Sequence, residues 1–310
     1  MDPTPYAIRI RGHLGAKVLS AFPALEPRRQ GPDTVLTGLL DRSAFYGVLA
    51  EVEALGLDLV EVRRLTPGRS LVGMAATFDT IRLIGPPAAD GEYVALDEHD
   101  VVHLHDYPRI YAVPGLYEYV VQERLRCRSP QVVVEGFLRA ITRLAMAPGS
   151  MTVLDFGAGT GLVGELLRGH GIAGVVGVDS LAEGRAACQR DRSGVYADYL
   201  VGDVGSGSLP ARLRGHAPGG LISAGAFGGT HAPPAALIDA LSVLPAGAPV
   251  AVTIDERWMD SADPDGFGAA MARLRERGDL LPMERHRFRH RVTTTGEPIC
   301  YELVVGTTGR

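Results

Sequence analysis

The sequence predicts an α/β protein: a doubly wound parallel sheet ending in an antiparallel hairpin, preceded by a small α+β domain. Three observations carry this. From Met151 onward, apolar runs of strand length alternate with helical segments, and several of the runs end in an acid. Val153 to Gly164, VLDFGAGTGLVG, sets Gly157, Gly159 and Gly161 between a strand and the start of a helix. Finally, Arg287 to Thr293 and Ile299 to Thr307, joined by Thr294-Thr-Gly-Glu-Pro298, read as a terminal hairpin and not as further βα units.

In chain order, residues 1–66 form the small domain. Ala7 to Arg11, Leu25 to Arg29, Thr34 to Leu40 and Leu57 to Leu65 are strand-like, and His13 to Ala21 and Arg42 to Ala54 are helical, the latter capped by Asp41. That order, βαββαβ, is ferredoxin-like. It suits a dimerisation, carrier-docking or substrate-covering module, and a homodimer through this domain is the expected assembly. A purely structural add-on has the same pattern.

Residues 67–106 carry turn chemistry around short β-like runs and read as a hairpin-rich connector. The DEHDVVHLHDY segment gathers His99, His103 and His105 among carboxylates but reproduces no metal-ligand spacing, so it is read as polar connector and no metal is expected.

Residues 107–310 form the main domain. Tyr107, Tyr111, Tyr117 and Tyr119 crowd one stretch; such rings suit a lid over a small organic substrate, and equally a helix on a core edge. Ser129 to Leu144 is amphipathic and leads into the strand Met151 to Asp155, which the glycine run turns into the helix Leu162 to Gly169. Glycines there let the chain turn sharply while a ligand approaches the backbone. Asp179 ends the next strand, 22 residues beyond Gly157, a spacing at which a carboxylate reaches a ribose. Asp203 ends a third apolar run, YLVGDV, where a carboxylate or its neighbouring amide can contact an adenine amino edge. Gly159, Gly161 and Gly164 also satisfy G-x-G-x-x-G, so an NAD-dependent oxidoreductase stays open on the glycines alone.

The glycine run together with both spaced acids resembles the class I S-adenosylmethionine-dependent methyltransferases over about residues 110–307, and with it their Rossmann-like sheet. The stretches GTGLVGELL, VYADYLVGDV and LISAGAFGGTHAPPAAL are similar to the subgroup related to the Williams-Beuren syndrome region protein. There the subgroup usually carries a Met-Leu pair over the adenosine, and this chain has Gly184-Arg185. The resemblance implies S-adenosylmethionine as cofactor, with Gly157, Gly159 and Gly161 along its methionine part, Asp155 supporting the turn or the amino group, Asp179 on the ribose and Asp203 with Val204 at the adenine.

Substrate and base follow from position. Tyr111, Tyr117 and Phe227 are candidate substrate contacts. His231, just past the fourth strand, is the first candidate base, and Glu256 the second. The chain lacks the Asn/Asp-Pro-Pro-aromatic and Pro-Cys motifs of base-methylating enzymes, and its formal net charge of −5 gives no drive toward nucleic acid or anionic membrane. A small, specialised metabolite is the expected methyl acceptor. A cofactor-binding module without methylation is a further alternative. Three scattered cysteines and no apolar run of membrane length point to a soluble, cytoplasmic protein. The Arg285, Arg287, Arg289 and Arg291 stripe on one face of the hairpin could attract a phosphate or carboxylate substrate, but it reads better as protection of a sheet edge.

Overall fold

The computed structural model describes residues 4–30, 33–64, 78, 81–85, 91–97, 99–202, 209–228, 231–259 and 263–309. The chain divides into two compact units, Met1–Asp79 and Thr80–Arg310.

In the first unit, strands β1 (Thr4–Arg11), β2 (Glu26–Gln30), β3 (Asp33–Leu40) and β4 (Leu59–Arg64) form one antiparallel sheet in the order β2-β3-β1-β4. With the helices Ala16–Leu19 and Arg42–Ala54 between strands one and two and three and four, this is the ferredoxin-like arrangement. Period-two alternation buries Ile8, Ile10, Leu36 and Leu40 on one face with Phe22, Leu25 and Val52.

The second unit begins with three short antiparallel strands, β5 (Arg82–Ile84), β6 (Tyr93–Ala95) and β7 (Val101–His103). Its main sheet contains β8 (Thr152–Phe156), β9 (Gly174–Asp179), β10 (Asp198–Val201), β11 (Gly220–Phe227), β12 (Pro249–Asp255), β13 (Leu280–Val292) and β14 (Pro298–Thr308), ordered β10-β9-β8-β11-β12-β14-β13. Six strands run in one direction; β14 alone, between β12 and β13, runs antiparallel to both and forms the terminal hairpin with β13. The order reverses at β8, so the crevice for a ligand opens beyond the C-terminal ends of β8 and β11.

Both faces are covered. Leu154, Val176, Leu221 and Val252 meet the helices Pro234–Leu241 and Phe267–Glu276, while Val153, Val175 and Ile222 meet Ser129–Arg143 and Leu162–Gly169. Continuous burial along β12 is the signature of a strand covered on both sides.

Three local departures from the sequence reading shape the site. Strand β11, whose apolar run LISA reads in the sequence as a fourth strand ending at Ala224, continues to Phe227 through a register shift against β12, where Thr253 Oγ1 accepts from the Gly225 amide at 2.8 Å. The tyrosine-rich stretch is two elements, a helix Tyr107–Ala112 and a π-helical turn Glu118–Arg124. A bulge between Arg289 and Arg291 in β13 ends the arginine stripe: Arg285, Arg287 and Arg289 stay exposed, while His290 and Arg291 are buried side by side.

Candidate functional site

The glycine loop is built as the composition requires. Gly157, Gly159 and Gly161 have φ of +76°, +50° and +90°, the left-handed region that side chains resist. Close neighbours add to this: a Cβ on Gly157 would lie 2.4 Å from the Ala226 Cβ, and one on Gly161 2.7 Å from Cys188 Sγ. Gly164, the third glycine of the dinucleotide-like spacing, makes room for the Tyr196 ring.

Two acids brace this loop differently. Asp179, at the end of β9, accepts from the Gly159 amide through Oδ2 at 2.8 Å and from the Leu181 amide through Oδ1 at 2.9 Å. Burial raises its pKa above the ordinary carboxylate value, against the pull of those amides. Asp155 is fully buried beneath the loop and accepts from the Tyr196 hydroxyl at 2.6 Å. Burial, assisted by the nearby Asp179 charge, pushes its pKa up to about 7.

A cavity of about 470 Å³ opens over these elements, lined by Gly157, Asp179 and Leu181 on one side and Tyr107, Tyr111, Tyr117 and His231 on the other. It touches a second chamber of about 360 Å³, and the two share His105, Tyr107, Tyr117, Ala224, Gly225 and His231 as wall. The inner part of the second chamber carries Cys127, Ser129, His290, Arg291 and Tyr301; Asp255, Arg257 and Trp258 also line it.

His231 sits in a turn closed by its own amide to the Gly228 carbonyl at 3.1 Å and by the Ala232 amide to Ala226 at 3.0 Å, which holds its ring over the end of β11. It lies against His105 and Tyr107. Burial is the main reason its pKa lies below the ordinary histidine value; Asp255 opposes this and Arg291 adds to it. His105 is lowered to about 4, by burial and then by its histidine and arginine neighbours. His290 is lowered to about 3, by burial and then by Arg291. Three imidazoles therefore stand neutral at pH 7 around one space. His290 also pairs with Ser129 Oγ at 2.6 Å and stacks on Tyr301.

Of the residues singled out from the sequence, the structure gathers Gly157, Asp179, Tyr111, Tyr117 and His231 at the cavities, with Gly159 and Gly161 in the same loop and Asp155 beneath it. Phe227 does not face either space; it is fully buried, stacked on Phe156. Glu256 points away from the cavities and pairs with Arg287, while its neighbour Asp255 lines the second chamber. Asp203 and Val204 lie outside the described residues. Gly184, where the resembling subgroup is bulky, is pressed against the Tyr199 hydroxyl and the Gly159 carbonyl, at 2.9 and 3.2 Å from a would-be Cβ.

The sequence reading missed His290, Asp255 and Tyr301, took Arg291 as part of an edge-protecting stripe, and took His105 as part of a polar connector. Among the described residues no group of three or more histidines, cysteines and acids is placed to hold a metal ion. No helix among them is long and apolar enough to cross a membrane.

Residues 5–63 match the model of a Domain of unknown function (DUF8691). Comparison with curated proteins finds no sequence match. Among solved structures the chain is similar to the N-methyltransferase NodS from Bradyrhizobium japonicum in complex with S-adenosyl-L-homocysteine, with a TM-score of 0.43, 13% identity and coverage of 67% of this chain and 98% of that one. It is similar to the O-methyltransferase from Bacillus cereus in complex with the same ligand, at 0.40, 12%, 66% and 90%. It also resembles a TehB-like SAM-dependent methyltransferase from Corynebacterium glutamicum, at 0.36, 21%, 56% and 88%.

Proposed function

We propose that this chain is a methyltransferase that binds S-adenosylmethionine in the 470 Å³ cavity and methylates a small molecule held in the adjoining chamber. The observation that carries the reading is Asp179: its carboxylate is fixed by two amides at the lip of a glycine loop, inside a cavity that shares a wall with a second one.

The residues fit the cofactor. Each Asp179 oxygen keeps a lone pair for a ribose hydroxyl beyond the amide it already accepts. Gly157, bare of a side chain, lines the space beside it. Bound there, S-adenosylmethionine supplies an electrophilic methyl group on a sulfonium. The chain itself must align an acceptor and take its proton. His231 suits the proton transfer, because it is a wall of both spaces and its imidazole is held neutral, so it accepts a proton at physiological pH. His105 shares that wall and orients beside it.

The sheet order favours this reading over a nicotinamide enzyme. The dinucleotide-binding fold has the order 3-2-1-4-5-6, whereas here an antiparallel strand is inserted before the last one. Thermal unfolding with S-adenosylhomocysteine or NAD separates the two: the first raises the melting temperature, the second does not. A shift with NAD alone overturns the reading. Transfer of labelled methyl from S-adenosylmethionine to a metabolite mixture then separates an enzyme from a cofactor-binding module.

A further inference from the structure

We infer that the second chamber takes a compact aromatic acid and that Arg291 anchors its carboxylate; this rests on the methyltransferase reading of the neighbouring cavity.

Arg291 is where the alternation of β13 fails. The bulge turns it inward, leaving its side chain 8% exposed. Glu92, from the segment before β6, receives Nη1 at 3.1 Å and Nη2 at 2.5 Å, and the Thr294 amide holds the same carboxylate at 2.6 Å. Nη1 also donates to the Val292 carbonyl. A guanidinium has five N–H donors in a fixed fork. Three are spent on these contacts; Nε–H and the second Nη2 hydrogen have no protein partner among the described residues, and Arg291 lines the chamber. Those two hydrogens form the side edge that meets a carboxylate bidentately. Glu92 orients the guanidinium from behind and leaves that edge to a ligand.

The field agrees with the geometry. Arg291 favours the anion of Tyr107, Tyr117, Cys127 and Tyr301 and disfavours the cation of His105, His231 and His290, while Asp255 acts in the opposite sense on His231 and Tyr301. The place for an anion is therefore the Arg291 end of the chamber and not the side lined by Asp255. Its walls are rings, Tyr107, Tyr117, Tyr301 and Trp258 with the imidazoles, which suits a planar ligand. At about 360 Å³ it lies near the small end of ligand cavities, roughly 300–1,000 Å³. Arg291 lines only this chamber, while His105 and His231 line both, so the carboxylate is the anchor and the accepting atom lies at the histidine end.

Trp258, the chain's single tryptophan, lines the chamber, and quenching of its fluorescence reports occupancy without turnover. The probes are para-hydroxybenzoate and para-hydroxybenzamide, alike in shape and different in charge, titrated into protein saturated with S-adenosylhomocysteine. The acid binds at least about tenfold tighter than the amide, as a charge-assisted pair requires. In the double variant Glu92→Gln/Arg291→Met, which removes both charges and leaves neither unpaired, that preference is lost. Equal or tighter binding of the amide, absence of saturable binding by the acid, or survival of the preference in the double variant overturns the assignment. Failure of S-adenosylhomocysteine to raise the melting temperature is a separate result and strikes the cofactor reading instead.

Discussion

The amide of Gly159 donates to Asp179 Oδ2 at 2.8 Å, so the middle of the glycine loop is fastened to the end of the neighbouring strand by the residue proposed to bind the ribose. On that proposal, loop shape and cofactor recognition depend on one carboxylate. Asp179→Ala frees the Gly159 and Leu181 amides together and removes the ribose acceptor. S-adenosylhomocysteine affinity, measured by calorimetry, is expected to fall about 10–100-fold, from the loss of one or two charged hydrogen bonds. Asp179→Asn, which keeps the shape but presents an NH2 to one of the amides, should bind more weakly than wild type. Unchanged affinity in both would place the ribose elsewhere.

Asp155 gives the fold a pH dependence of unusual sign. Its folded pKa of about 7 stands above the unfolded value near 3.8, so the folded chain holds this proton more tightly. Its contribution to stability is complete below about pH 4 and is lost as pH rises toward and through 7. Asp155→Asn keeps an acceptor for Tyr196 and carries no charge. The variant should therefore gain on wild type between pH 5 and 8, by on the order of 2–4 kcal/mol at the upper end. Paired urea titrations at several pH values read the difference; a constant offset would mean Asp155 does not titrate in that range.

Gly161 is constrained twice, by φ of +90° and by Cys188 Sγ 2.7 Å from a would-be Cβ. Gly161→Ala should cost about 2–4 kcal/mol, of which the left-handed backbone accounts for about 1–2. The remainder is a collision and depends on the sulfur. In a double-mutant cycle with Cys188→Ala, a coupling of about 1–2 kcal/mol should be recovered. Strict additivity would mean that the backbone alone sets the requirement for glycine.

The parts of the site that were legible in the sequence are those fixed by local chemistry. A strand handing over to a helix through positive-φ glycines leaves a compositional trace, and Asp179 falls where βα spacing puts it. Helix Leu162–Gly169 has the predicted ends because Gly161 can adopt its cap conformation. The second chamber was largely illegible because it is assembled from distant segments. Glu92 and Arg291 lie 199 residues apart, and Arg291 turns inward only because one residue of β13 bulges. Strict alternation places it with Arg289 on the outer face. Phe227 failed for a similar reason: the register shift in β11 sends its ring against Phe156, into the core. Asp255 ends β12 and caps the 3-10 turn Glu256–Trp258, so the chain turns between the two acids; Asp255 lines the chamber and Glu256 pairs with Arg287.

The tyrosine-bearing segment is tied to the glycine loop by a buried ion network. Glu118 Oε1 receives the Thr160 hydroxyl at 2.6 Å and Arg192 Nη1 at 2.7 Å, and Arg192 Nε donates to Glu165 at 2.8 Å. The Arg192 side chain is fully buried, so its removal strands Glu118 in a low-dielectric site. Arg192→Met should destabilise the protein by about 3–5 kcal/mol, while Arg192→Met/Glu118→Gln recovers a large part. Chemical denaturation of both variants tests it; equal loss in the two would mean that the arginine acts by packing alone.

His231 is held neutral by burial, and that fixes the form of its pH profile. A base must enter the reaction unprotonated, and the His231 pKa lies below 6.5. The rate of methyl transfer divided by acceptor concentration should therefore climb on the acid side and level off before pH 7. His231→Gln keeps a polar side chain of similar reach but cannot take up a proton. It should lower kcat by about 10²–10⁴-fold and abolish the acid limb, with S-adenosylhomocysteine binding unchanged. A variant that retains the acid limb would pass the role to His105, which packs against His231 and is likewise held neutral, chiefly by burial.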